Sequence, residues 1–216
     1  MMKTGLLFDL DGTLLNTLED LLDSTNYALR THGFPEKSLE QLRKVVGNGA
    51  ANQIRKSMPE GTDEEMVQQV LATYKPYYNE HSQIKTKPYD GIPEVLAQLA
   101  EVYPIAIVSN KPDLTVKELC KFWFPGTYAL GEAADCPRKP APDMVYKAME
   151  AIGVEKCIYI GDSEVDILTA RNAGMPCLAV TWGFRDLEVL QAAGGEHFCH
   201  SPAEFVKAVE ELVHGK

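Results

Sequence analysis

Asp9-Leu10-Asp11-Gly12-Thr13-Leu14, preceded by the apolar run Leu6-Leu7-Phe8, is the stretch from which the fold can be read. An apolar run that ends on two carboxylates one residue apart, followed by glycine, reads as a buried strand that finishes on acids and then turns away. Side chains alternate across a strand, so Asp9 and Asp11 share a side as long as the backbone between them stays extended. Buried ionised carboxylates lose their hydration, and a divalent cation or hydrogen-bond donors must replace it. With that compensation, one carboxylate is placed to attack a phosphorus or carbon centre and the other to carry a proton. A turn or helix cap is the competing reading, because aspartate beside glycine also favours turns.

Three later segments have related character. The apolar run 105–108 ends in Ser109-Asn110-Lys111, and the run 157–160 ends in Gly161-Asp162-Ser163-Glu164-Val165-Asp166. Lys139 lies in Arg138-Lys139-Pro140-Ala141-Pro142, and Pro137, Pro140 and Pro142 stiffen its surroundings. Ligands of open parallel sheets bind outside the carboxyl ends of the strands, so these segments are expected to meet there. Each of the last three, taken alone, also matches ordinary loops. As an ordered set running along the chain, the four segments resemble the four motifs of the haloacid dehalogenase superfamily of phosphotransferases.

That resemblance implies an α/β fold, a Rossmann-like parallel sheet core with a small inserted helical cap. It also implies roles. Asp9 would attack phosphorus and become an aspartyl phosphate, while Asp11 would protonate the leaving alcohol and later activate water. Mg2+ would bridge the Asp9 carboxylate, the Asp11 main-chain carbonyl, Asp162 and a phosphate oxygen, with Asp166 supporting this shell. Ser109 and Asn110 would donate hydrogen bonds to the phosphate, and Lys139 would neutralise the charge on Asp9 and the transferring group. The spacing of Asp162 and Asp166 puts both on one helical face if a helix begins directly after Gly161. An acidic first turn favoured by the helix dipole is the alternative.

Periodicity supplies the organisation. From about residue 17 to about residue 79 the pattern is helical, with Leu18, Leu21, Leu22, Thr25 and Leu29 at helical spacing. Capping signals appear at Thr17-x-x-Asp20, Ser38-x-x-Gln41 and Thr62-x-x-Glu65. From Tyr89-Asp90-Gly91 onward strands alternate with helices, with strands expected near 105–108, 128–130, 157–160 and 177–180. The expected division is a core of residues 1–15 and 86–216 with a helical cap of residues 16–85, placed to act as a lid.

Within the cap, Val46-Gly47-Asn48-Gly49-Ala50 resembles the cap loop of phosphoglycolate phosphatases, which makes Gly47 and Asn48 candidates for substrate binding. A plain interhelical turn is the other reading. Arg43, Lys44 and Arg55 either meet a substrate carboxylate or form a solvated face. Trp182-Gly183-Phe184-Arg185, after the last expected strand, either contributes to the site or shapes its wall. The chain departs from common family wording at Ser109, where threonine is frequent, and at Asp90-Gly91, where Pro-Gly is frequent. The serine keeps the hydroxyl.

A net charge of −10 disfavours nucleic acid as a partner, and local cations must overcome that field for a phosphate substrate. With 45% apolar and 24% charged residues, and no run able to span a bilayer, the chain reads as a cytoplasmic protein without a membrane partner. Met1-Met2-Lys3-Thr4-Gly5 is too short a prelude for a signal peptide. The five cysteines and five histidines are scattered, which suggests core thiols rather than disulfides or zinc, and Cys199-His200 reads as incidental. A monomer or weak dimer acting on a small phosphorylated metabolite is expected.

Taken together, the residues and the resemblance point to a Mg2+-dependent phosphomonoester hydrolase, with phosphoglycolate as the leading substrate. A dehalogenase is disfavoured because Asp11 has no task when halide leaves. A phosphosugar mutase, a phosphonatase using a cap lysine such as Lys44 or Lys56, and a non-catalytic phospholigand-binding protein remain the alternatives.

Overall fold

The computed structural model describes residues 4–215. They form two compact units, one made of the chain up to Leu15 and from Pro88 onward, the other of Asn16–Lys87. The chain begins in the first unit with β1 (Thr4–Phe8). It leaves through β2 (Leu15–Asn16) and returns through β3 (Lys87–Pro88), and these two short strands pair with each other.

The helical unit consists of α1 (Leu18–Thr31), α2 (Leu39–Arg43), α3 (Ala50–Ser57) and α4 (Glu64–His81). Leu18, Leu21, Ala28 and Leu29 of α1 are buried, as are Val67, Val70, Leu71, Tyr74 and Tyr78 of α4, the stripes expected of amphipathic helices. Of the three expected caps, Ser38 is observed: its hydroxyl accepts from the Gln41 N–H at 3.2 Å, and its own N–H donates to the Gln41 side chain at 2.9 Å. The other two differ. The helix expected from Thr62 starts one residue later, where Asp63 accepts the Met66 N–H, because Thr62 spends its hydroxyl on the Pro59 carbonyl. Thr17 makes no side-chain capping bond. Asp20, buried, instead accepts the N–H groups of Ile84, Lys85 and Thr86 at 2.8–3.1 Å and so ties α1 to the segment before β3.

The sheet unit continues with α5 (Ile92–Ala100), β4 (Ile105–Pro112), α6 (Asp113–Trp123), β5 (Tyr128–Glu132), α7 (Asp143–Ile152) and β6 (Lys156–Gly161). It ends with α8 (Glu164–Asn172), β7 (Cys177–Val180), α9 (Leu187–Ala192), β8 (His197–Cys199) and, after a short 3-10 turn, α10 (Phe205–His214). The six-stranded sheet has the order β5-β4-β1-β6-β7-β8, and every neighbouring pair is parallel. Strand β8, three residues long at the sheet edge, is absent from the sequence reading.

Alternation along β1 sends Leu6 and Phe8 into one core with Ile107, Ile158, Ile160, Leu96, Val116 and Phe205. Leu7 points into the opposite core with Val108, Tyr159, Met144 and Val145. Cys120, Cys136, Cys157 and Cys199 are buried free thiols, and burial pushes Cys120 up to about 12. From β1 the chain crosses to β4 and β5 on one side and to β6, β7 and β8 on the other. The carboxyl ends of β4, β1 and β6 therefore flank a topological switch point, where such sheets bind ligands.

Candidate active site

Lys139, only 2% exposed, is the hub of this switch point. Its ammonium donates to Asp9 Oδ1 at 2.7 Å, Asp166 Oδ1 at 2.8 Å and the Tyr159 hydroxyl at 2.9 Å. Three donors thus meet three acceptors. Tyr159 in turn donates its hydroxyl to the Val108 carbonyl at 3.2 Å. Burial alone would lower the lysine's pKa, but Asp166 and Asp9 outweigh it and hold the ammonium well above its ordinary value. The β5–α7 loop that carries Lys139 is anchored by Asn110, whose side-chain amide donates to the Lys139 carbonyl at 2.9 Å.

Asp162 follows β6 and is held from two directions. Thr13 Oγ1 donates to its Oδ1 at 3.3 Å, and the Phe184 N–H donates to its Oδ2 at 2.6 Å. Close approach requires glycine here: a Cβ on Gly183 would lie 2.3 Å from the Asp162 Cβ and 2.5 Å from the Gly12 carbonyl oxygen. A Cβ on Gly12, already at φ +89°, would lie 2.3 Å from Asp162 Oδ2. Helix α8 does not begin directly after Gly161, the condition under which the two acids would share a helical face; Ser163 precedes its first residue, Glu164. Asp166 reaches back from the first turn, and its Oδ2 accepts both the Ser163 hydroxyl at 2.6 Å and the Ser163 N–H at 3.1 Å. Asp162 and Asp166 therefore converge because one ends a strand and the other caps the next helix, and not because they share a helical face.

Asp11 belongs to a second ion pair. The Lys111 ammonium lies 2.8 Å from both Asp11 carboxylate oxygens, with the lysine side chain 3% and the aspartate side chain 13% exposed. Ser109 is buried beside them, its hydroxyl accepting the Lys111 N–H at 3.3 Å. Arg185 pairs with Glu164 at 2.8 Å.

The electrostatics are unbalanced toward the acids. Asp9, Asp11, Asp162 and Asp166 face two ammonium groups, those of Lys139 and Lys111. Burial, only partly offset by Lys139 and reinforced by Asp166 and Asp11, raises the Asp9 carboxyl to about 7. Burial, then repulsion from Asp166 and Asp9, pushes Asp162 well above the ordinary carboxylate range, against the pull of the Phe184 N–H and Arg185. Among the described residues, Asp9, Asp162 and Asp166 form a buried cluster whose ligand oxygens lie within 4.8 Å of one another. An all-oxygen donor set in which carboxylates outnumber the cations facing them suits a hard dication such as Mg2+. Both oxygens of Asp166 already accept other bonds, which leaves Asp9 and Asp162 as the better-disposed carboxylate ligands.

Asp9, Asp11, Ser109, Asn110, Lys139, Asp162 and Asp166 are thus brought to one sheet edge from four segments. Gly47 and Asn48 lie in the helical unit, between α2 and α3. Lys44 and Arg55 there are exposed and paired with Glu40 and Glu64. Two contributors, Tyr159 and the Thr13 side chain, had no assigned role in the sequence reading, and the 182–185 segment, read as either part of the site or its wall, acts through the Gly183–Phe184 backbone. Tyr159 sits within an apolar run, where only its hydroxyl hinted at a polar neighbour; Thr13 and the Gly183–Phe184 backbone act through contacts 149 and 22 residues away in sequence.

No helix among the described residues is long and apolar enough to cross a membrane. The family of haloacid dehalogenase-like hydrolases matches residues 6–180 of the chain. A phosphoglycolate phosphatase of Xanthomonas campestris pv. campestris is 34% identical over 190 residues, 84% of each protein. An N-acetylmuramic acid 6-phosphate phosphatase of Pseudomonas aeruginosa is 32% identical over 197 residues, covering 85% of this chain and 84% of that protein. Among solved structures, a candidate phosphoglycolate phosphatase from Lactobacillus delbrueckii subsp. bulgaricus superposes with a TM-score of 0.91 at 36% identity, covering 97% of this chain and 99% of that one. With a family match over most of its length and the four motifs gathered at one sheet edge, the chain belongs to the haloacid dehalogenase-like hydrolases, in the branch that resembles phosphoglycolate phosphatases.

Proposed function

We propose that the protein is a Mg2+-dependent phosphatase that hydrolyses a small phosphomonoester through an aspartyl phosphate on Asp9, with phosphoglycolate as the leading substrate. The observation that carries this reading is the Lys139 hub, which fixes one oxygen of Asp9 in place beside the Asp162 and Asp166 carboxylates. A nucleophile immobilised in this way loses little orientational freedom on reaching the transition state.

In the first step the Asp9 carboxylate attacks phosphorus, the P–O bond to the alcohol breaks, and the alcohol oxygen takes a proton from Asp11. In the second, water attacks the phosphorus of the aspartyl phosphate and gives a proton to Asp11, which releases inorganic phosphate and restores Asp9. Lys139 keeps Asp9 oriented and offsets its charge. Ser109 donates its hydroxyl to a phosphate oxygen, and Asn110 holds the Lys139 loop. Asp9, the Asp11 main-chain carbonyl and Asp162 would hold Mg2+, which supplies positive charge for the phosphoryl oxygens. Asp166 supports the site through Lys139 and Ser163.

The substrate assignment draws on the relatives. Their names describe phosphate esters of carboxylic acids, phosphoglycolate in one and N-acetylmuramic acid 6-phosphate in the other. Gly47 and Asn48 are proposed to contact the substrate from the helical unit, which serves as the cap. Phosphate release from phosphoglycolate and from an aryl phosphate, with and without Mg2+, tests the reading. Release should require Mg2+ and fall by about 10³-fold or more in Asp9→Asn. Metal-independent release, or an active Asp9→Asn protein, would sink it.

A further inference from the structure

We infer that Tyr159 is a positioning residue for the reaction: its hydroxyl fixes the rotation of the Lys139 ammonium and, through it, the Asp9 carboxylate. The inference rests on the phosphatase reading above and adds to that site a residue from the apolar run before Gly161. Tyr159 is fully buried in the core with Leu7, Val108, Met144 and Val145, where phenylalanine would pack without a polar group to bury. The hydroxyl is instead matched on both sides. An ammonium only donates, so Tyr159 must accept from Lys139, at 2.9 Å, and its own proton goes to the Val108 carbonyl at 3.2 Å. Strand β1 lies between β6, which carries Tyr159, and β4, which carries Val108, so the side chain spans the central strand beside Leu7, its partner in register. Burial holds the pKa of this hydroxyl well above the ordinary tyrosine value, so the acceptor is neutral.

This contact decides how much freedom Lys139 has. An ammonium turns about its Cε–Nζ bond, and acceptors on Asp9 and Asp166 alone leave its third N–H undirected. With the Tyr159 oxygen added, all three bonds, at 2.7–2.9 Å, are met in one orientation. Asp9 changes charge as it reacts, whereas Tyr159 does not, and its ring is held in a close-packed core. Without the hydroxyl a buried N–H would lose its acceptor, which costs more than a hydrogen bond exchanged with water. The ammonium would then turn that bond toward Asp9 or Asp166 and draw the attacking carboxylate off its line. Small displacements of a reacting group are costly to rate.

Tyr159→Phe removes one oxygen and keeps the ring. At saturating Mg2+, kcat should fall by about 10- to 100-fold on both phosphoglycolate and an aryl phosphate, the range for a lost charge-assisted hydrogen bond. KM should change by less than about twofold, because the hydroxyl is committed to Lys139 and Val108 and does not meet substrate. A second readout follows the ammonium itself, by NMR relaxation of isotope-labelled lysine side chains. In the wild type the Lys139 ammonium, assigned by its loss in Lys139→Arg, should rotate more slowly than that of the exposed Lys207, and it should speed up in Tyr159→Phe. Wild-type rotation as fast as at Lys207 overturns the inference whether or not the variant folds. Unchanged kcat in folded Tyr159→Phe overturns it as well. So does a rise in KM with kcat and rotation unchanged, which would confine the hydroxyl to holding Val108 and the adjoining Ser109. Hydrolysis of neither ester by folded, Mg2+-loaded wild type would defeat the phosphatase reading instead, and the rotation measurement would still decide whether Tyr159 fixes Lys139.

Discussion

A buried acid that must also act as a nucleophile is under opposing demands at Asp9. Lys139 stabilises its ionised form, while burial and the nearby Asp166 and Asp11 oppose ionisation and prevail, raising the carboxyl from 3.8 to about 7. An unfolded chain would release this proton near the ordinary value, so the unfolded state binds fewer protons than the folded one between those two limits. The stability that comes from keeping Asp9 neutral is therefore complete below pH 3.8 and is lost as the pH rises to about 7. Asp9→Asn has no such titration. In metal-free protein, the thermal midpoint of the wild type relative to Asp9→Asn should decline steadily across that interval, as measured by scanning calorimetry at a series of pH values. A difference that does not vary with pH would mean that Asp9 is ionised throughout. Aspartates at strand ends were legible as reactive groups from the sequence, but the hydroxyl of Tyr159, which completes the Lys139 hub, was not. Nothing local distinguishes a tyrosine that packs in a core from one that also accepts a buried ammonium.

The proposed metal-binding carboxylates depend on two elements, helix α8 and the loop after β7. The start of α8 supplies the capping interaction that holds Asp166, and the loop lays the Gly183 backbone against Asp162 so that the Phe184 N–H can reach it. Adding one methyl group tests this arrangement. In Gly183→Ala the new Cβ would lie 2.3 Å from the Asp162 Cβ and 2.5 Å from the Gly12 carbonyl, both parts of fixed backbone neighbourhoods, so the loop must retreat. We expect Mg2+ affinity, measured by titration calorimetry, to weaken by about tenfold or more, the usual cost of disturbing support behind a ligand. Unchanged affinity would show that the loop only walls the pocket. Apolar runs revealed the long strands of the sheet because burial on both faces leaves a continuous pattern. Cap positions were read less well. Ser38 and Gln41 satisfied each other locally, whereas Asp20 answered to N–H groups 64 to 66 residues away and Thr62 ceded its place to Asp63.

At the scale of the whole molecule, four short motifs become one site only because β1 lies at the centre of the sheet, between β4 and β6. The order of the motifs was legible and their convergence followed from parallel topology, but the pairing of Lys111 with Asp11, 100 residues apart, was not. The charge of the whole chain adds a further constraint on catalysis. A net charge of −10 repels an anionic phosphate ester at long range, while Lys111 and Lys139 attract it only after it has entered. Screening acts mainly on the first effect, because the Debye length shrinks from about 30 Å at 10 mM salt to about 8 Å at 150 mM, whereas the buried contacts span a few ångströms. Raising monovalent salt across that range at saturating Mg2+ should therefore increase kcat/KM for phosphoglycolate, by about two- to fivefold if the repulsion amounts to a few kT. The less charged 2-hydroxyethyl phosphate should respond less. A decrease with salt would mean that the positive potential of the site extends beyond its mouth and outweighs the acidic surface, so that approach is steered by the lysines inside it.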